Sequence, residues 1–182
     1  MRHLMLLTFA VAFLPGCASS STPSTASARP ATQTVVGGSA GSMTIANSTS
    51  SNVSRLAYAP DAVWRILPSV FDSVGITVNT IDPARKTIGN AQYKIRQRLG
   101  KSPLSRYLDC GSSQIGPNAD SYDVLLTVLS TVAPEGASGA TLTTVVEAQA
   151  KPVTYSQGYL RCSSRGGIEK SIADLVNARL SR

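Results

Sequence analysis

Seven cations fall between positions 85 and 106 with no acidic residue among them: Arg85, Lys86, Lys94, Arg96, Arg98, Lys101 and Arg106. Lys94, Arg96 and Arg98 alternate, so on a strand they share one face, opposite Tyr93 and Ile95. Such a ladder, turned to solvent, suits an anionic partner: lipid head groups, a cell-wall or phosphate-bearing polymer, or an acidic protein surface. The expected contact set is Lys94, Arg96, Arg98, Lys101 and Arg106. The same residues on an outer strand would also guard an edge against aggregation, and the sequence leaves both readings open.

Catalytic chemistry has little to work with. The one histidine is His3, in an apolar leader, so the rest of the chain lacks the base of Ser-His-Asp and Cys-His nucleophile systems and has no imidazole for a metal. Three cysteines, Cys17, Cys110 and Cys162, are too few for a closed zinc site once Cys17 is set aside for the role argued below. Gly100-Lys101-Ser102 resembles the end of a phosphate loop, but the glycine required five positions earlier is Ile95. Paired carboxylates remain: Asp120 with Asp123, and Glu147 or Asp174. They would serve a hydrolase or transferase acting on cell-wall material, yet each also reads as an ordinary solvated surface charge. The expectation is a non-enzymatic protein with no cofactor, metal or small-molecule substrate.

The chain opens with a basic start and an apolar run, residues 4–14, far below the roughly 20 residues a bilayer span needs. Residues 1–16 therefore read as a cleavable export signal. At its end Leu14-Pro15-Gly16-Cys17 resembles the lipobox of bacterial lipoproteins. That resemblance implies diacylation of Cys17 on sulfur, cleavage after Gly16, and acylation of the new amine. Two or three acyl chains suffice for stable anchoring where one does not. Ala18 and Ser19 follow Cys17, and the absence of Asp there resembles the outer-membrane sorting pattern of enterobacterial lipoproteins. The expected location is the envelope, facing the periplasm, where nucleic acid is no partner.

Residues 17–42 are Ser, Thr, Ala, Pro and Gly with few large apolar side chains, and such a stretch reads as a disordered tether. Residues 43–182 suit one domain with a single core. In an oxidising compartment Cys110 and Cys162 read as a disulfide, the alternative being two free buried thiols.

Local patterning supplies the elements. Short strands are expected at residues 43–46 and 53–58. Pro60 and Asp61 start a helix, Val63, Leu67, Val70, Phe71 and Val74 line one face of it, and Gly75 stops it. Pro68 predicts a kink, and Trp64 beside Val63 reads as core rather than an exposed anchor. Residues 76–81 and 86–98 make a hairpin around Asp82-Pro83, with Gly89 as its bulge. Residues 107–110 form a short strand, 111–118 a loop, 122–132 and 141–150 a second hairpin, and 168–180 a closing amphipathic helix.

The expected class is α+β, a two-layer sandwich with an antiparallel sheet of two hairpins and two helices on one face. Ala62-Val63-Trp64, Val74-Gly75-Ile76 and the Asp82-Pro83 turn give this pattern a further likeness. It resembles the helix-grip domains of accessory lipoproteins of the outer-membrane β-barrel assembly machinery.

Overall fold

A computed structural model describes residues 51–154 and 158–182 in full, together with the backbone of Ser50 and of two earlier strands. The expected leader, Cys17 and most of the expected tether lie outside the described residues. Within the tether stretch, β1 (Thr32–Val35) pairs antiparallel with β2 (Met43–Ala46).

The next strand, β3 (Ser50–Leu56), leads into α1 (Pro60–Val74). Pro60 occupies the first turn, where its missing amide has no partner to lose. Gly75 closes the helix at φ +85°, with its own N–H on Asp72 O at 2.9 Å and that of Ile76 on Phe71 O at 3.0 Å. The helix runs unbroken through Pro68. Val63, Leu67, Val70 and Phe71 are fully buried, and Trp64 packs partly buried against the same core.

The first hairpin joins β4 (Thr80–Asp82) to β5 (Thr87–Arg96). Its first strand is shorter than residues 76–81 predict: the Asn79 N–H still reaches Gly89 O at 3.0 Å, but beyond it side-chain bonds replace the backbone ladder. The Asn79 side-chain oxygen accepts the Ala91 N–H at 3.2 Å and the Thr80 hydroxyl at 2.8 Å. The bulge expected at Gly89 falls instead at Gln92, where the pairing steps from Leu126↔Tyr93 to Thr127↔Ala91. Gly89 answers another need: a Cβ there would stand 1.9 Å from Val128 O.

Gln97, at φ +66°, then turns the chain out of the sheet. Small pieces follow: β6 (Arg98–Leu99), β7 (Ser102–Pro103), a 3₁₀ turn over Leu104–Arg106, β8 (Leu108–Asp109), β9 (Ser112–Ser113), β10 (Gly116–Pro117) and α2 (Asn118–Ser121). The predicted loop at 111–118 is thus a tight hairpin running into one helical turn.

The centre of the sheet is β11 (Asp123–Glu135) paired along its whole length with β12 (Gly139–Lys151). β13 (Leu160–Ser164) and α3 (Gly167–Leu180) complete the chain. The sheet has seven strands rather than two hairpins, in the order β4-β5-β11-β12-β13-β8, with β3 also on β12. A strand of 13 residues extends roughly 44 Å, room enough for two short partners end to end on its free side. β3 takes Ala140 to Val146, and β13 takes Ala148 to Ala150.

Val124, Leu126, Val128, Ser130 and Val132 of β11 alternate into the core, as do Ala140, Leu142, Thr144, Val146, Ala148 and Ala150 of β12. The helices cover that face, with Ile168, Ile172 and Val176 of α3 buried beside the α1 residues. Arg179 fastens the helices together, donating to the hydroxyls of Ser69 and Ser73. Cys110 and Cys162, 52 positions apart, form a disulfide that ties the segment after β8 to β13.

Candidate functional site

Among the described residues the opposite face of the sheet carries no helix. By strand parity it presents Thr127, Leu129 and Thr131 of β11 and Thr141, Thr143 and Val145 of β12, all half-buried. Toward one end its character changes from hydroxyl and aliphatic to cationic. There Lys94 stands in register with Leu125, Gln149 and Arg161, and Arg96 in register with Asp123 and Lys151. Strands spaced about 4.8 Å apart put the Lys94-to-Arg161 row at about 15 Å across. Arg96 and Lys151 thus flank one carboxylate, Asp123, and Lys94 and Arg161 stand in the neighbouring row. A second carboxylate, Glu147, lies one row further on, beside Thr127.

None of these cations enters an ion pair among the described residues. The pairs that do form join Arg55 to Glu135, Arg85 to Asp82, Lys86 to Asp61, Arg165 to Asp109 and Lys170 to Asp174. Two of them remove the first cations of the basic run from any shared face. Asp82 accepts the backbone N–H of Arg85, which draws its carboxyl below the usual value, and it also accepts the Arg85 guanidinium at 2.8 Å. Asp61 is likewise lowered, first by the hydrogen bond from Lys86 and then by that ammonium's charge.

Of the five expected contact residues, the structure brings Lys94 and Arg96 together. Arg98 does not continue their ladder, because Gln97 intervenes in a left-handed conformation, and its guanidinium donates to the Lys101 carbonyl at 3.2 Å. Lys101 lines a groove between the end of α1 and α3, and Arg106 sits exposed in the 3₁₀ turn. Lys151 and Arg161 escape a linear reading because they lie 57 and 67 positions from Lys94 in the sequence (151 − 94 and 161 − 94). Only the strand register unites them.

Edge protection explains part of this arrangement. β4 covers β5 only from Thr87 to Gly89, so among the described residues no strand pairs with β5 outside Lys94 and Arg96. It does not explain Lys151, which belongs to an inner strand.

Beyond the strand ends a cleft of about 540 Å³ opens, lined by Arg96, Gln97, Ile115, Asp120, Tyr122 and Val153 among others. Ile115 occupies the tip of the β9–β10 hairpin. Lys151 Nζ lies 5.8 Å from the Tyr159 ring centroid, a cation–π contact at the rim of the same end.

The candidate carboxylates do not converge on one cavity. Asp120 lines this cleft, Glu147 a shallow recess on the open sheet face, and Asp174 the groove beside α3. Among the described residues no group of three or more His, Cys, Asp or Glu side chains is placed to hold a metal. No protein-family model matches the chain, and no curated protein matches it.

Proposed function

We propose that this is a lipid-anchored envelope protein, held at the membrane through Cys17 and facing the periplasm. Its sheet-and-helix layer acts as a non-enzymatic binding or assembly module. On this reading the helix-grip likeness describes its working part, in which α1 and α3 brace one face of the sheet and leave the other for a partner. The partner is anionic.

One observation carries this reading: Lys94, Arg96, Lys151 and Arg161 converge from three strands on one end of the open face, outside the ion pairs of the described residues. Convergent cations on a rigid sheet create a positive field that an anionic partner enters without rearranging the fold. The full sequence carries a net charge of +7, of which only Arg2 leaves with the leader (7 − 1 = +6), and this adds a long-range term of the same sign.

The test uses the full chain purified from membranes, with inorganic polyphosphate as the probe. Anisotropy titrations should give salt-sensitive binding that weakens at least tenfold when Lys94, Arg96, Lys151 and Arg161 are all changed to Gln. Intact-mass analysis of the same preparation should show acylated Cys17 as the first residue. Equal polyphosphate binding by the two proteins would remove the basic end from the account, and an unmodified Cys17 would remove the anchor.

A further inference from the structure

We infer that the cationic end of the sheet is a membrane-docking surface, seating the domain on an anionic phospholipid bilayer with Ile115 and Val153 entering the interface. This deepens the anionic-partner reading and rests on it.

Apolar side chains decide between a bilayer and a charged polymer. Ile115 is 82% exposed at a hairpin tip, Val153 is 45% exposed and Tyr159 44% exposed. All three lie at the end of the sheet where the cations gather: Ile115 and Val153 line the cleft with Arg96, and Tyr159 lies under Lys151. A polyanion in water would give an isoleucine at that tip nothing to bury against. A bilayer interface rewards both halves of the patch, since head-group phosphates meet the cations and the acyl boundary takes the aliphatic tips. Tyrosine belongs at the level between them, with an apolar ring and a polar hydroxyl.

The contact is interfacial. Among the described residues no helix is long and apolar enough to cross a membrane. The elements bearing the patch are held by the fold itself: the Asn118 side chain donates to Cys110 O at 3.1 Å behind the Ile115 hairpin, and the Cys110–Cys162 disulfide links that region to the strand of Arg161. The Ile115 hairpin and the strand of Arg161 are therefore braced against each other.

Tryptophan quenching tests this in the full chain, whose single native tryptophan, Trp64, packs against the core and supplies a baseline. An Ile115→Trp variant is reconstituted into vesicles whose lipids carry brominated acyl chains. In phosphatidylglycerol-containing vesicles its emission should be quenched well beyond the wild-type baseline. Quenching should fall to that baseline in pure phosphatidylcholine, in high salt, and when the four cations are also changed to Gln, each cation contributing roughly fivefold. Val153→Trp should repeat the pattern. A tryptophan at Ala137, in the turn at the far end of the sheet, should stay at baseline throughout.

Baseline emission from both Ile115→Trp and Val153→Trp in anionic vesicles would overturn the proposal. So would quenching indifferent to the cations, or quenching equally strong at position 137. If polyphosphate binding through the four cations persists while positions 115 and 153 remain unquenched, the anionic-partner reading stands and the bilayer is the wrong partner. If both signals are absent, both fall.

Discussion

Asp120 holds Ser105 with both carboxylate oxygens, taking its backbone N–H at 2.8 Å and its hydroxyl at 2.6 Å. This pins the 3₁₀ turn to α2, and it occupies a side chain whose spacing from Asp123 suggested acid–base chemistry. Two charge-assisted bonds in a half-buried setting stabilise the fold by roughly 2 kcal/mol. Asp120→Ala should therefore lower the unfolding free energy from urea titrations by that amount, with a matching drop in the midpoint, and Asp120→Asn by less. An unchanged midpoint would mean that the contact is incidental.

The bond from Asp120 to Ser105 is a tertiary contact that residue type and spacing do not announce, and it marks where the sequence stops being legible. The 3.6-residue period of Val63, Leu67, Val70 and Phe71 reported α1, and alternation along residues 122–132 and 141–150 reported the central hairpin, because one buried face imposes a period on the residues that line it. β13 has no local signature because Leu160–Ser164 is short and polar at most positions, and its strand character comes from pairing with β12. β3 was anticipated near residue 53, but its place on β12 is a long-range fact that no local pattern contains. The candidate site divides along the same line. Lys94 and Arg96 were visible as an alternating pair, whereas Lys151 and Arg161 join them only through register. Arg98 was misplaced because nothing in its type signals that Gln97 adopts a positive φ.

Gly89 faces a backbone that cannot retreat. A Cβ at this position would lie 1.9 Å from Val128 O and 2.9 Å from Val128 C, on the adjoining strand. Gly89→Ala should thus force β5 and β11 apart and cost about 3 kcal/mol or more. Gly136 offers the control: its φ is +60°, but nothing lies within 4 Å of an added Cβ. Gly136→Ala should cost only the left-handed penalty of about 1 kcal/mol. Equal losses at the two sites in urea titrations would refute the packing explanation.

The Cys110–Cys162 bond closes a span of 52 positions. The loop-entropy relation assigns such a closure about 4 kcal/mol of stabilisation, acting through the unfolded chain. Replacing both cysteines by Ala should accordingly lower the denaturation midpoint strongly while leaving the circular dichroism of the folded state unchanged. Non-reducing peptide mapping of the unaltered protein should return one cross-linked species containing both residues. Two freely alkylated thiols would contradict it.

Asp61 supplies a pH signature. The hydrogen bond and charge of Lys86 hold its carboxyl below the ordinary value of 3.8. A carboxylate with a depressed folded-state value favours the folded chain above its unfolded value, and that contribution disappears as pH falls through the folded value. Lys86→Met should bring the Asp61 titration back toward its ordinary position, because both leading causes of the depression belong to Lys86 and what remains is desolvation, which raises it, against the smaller lowering by Arg65. Carboxyl NMR shifts followed through the acid range give the comparison directly. Identical Asp61 curves in the two proteins would show that the pair is not formed in solution.

Ser130 and Thr144 face each other across β11 and β12 inside the core, their hydroxyls 2.8 Å apart and their exposures 0% and 2%. Each hydroxyl satisfies the other where no water reaches. Ser130→Ala alone strands the Thr144 hydroxyl, and Thr144→Val alone strands that of Ser130, so each single change should cost about 1–3 kcal/mol. Removing both at once leaves an apolar pair of nearly the same shape and no orphaned group. The double variant should be less destabilised than the sum of the singles and close to wild type, a favourable coupling that a double-mutant cycle measures. Simple additivity would mean that the two hydroxyls do not bond, and it would place their cost in packing instead.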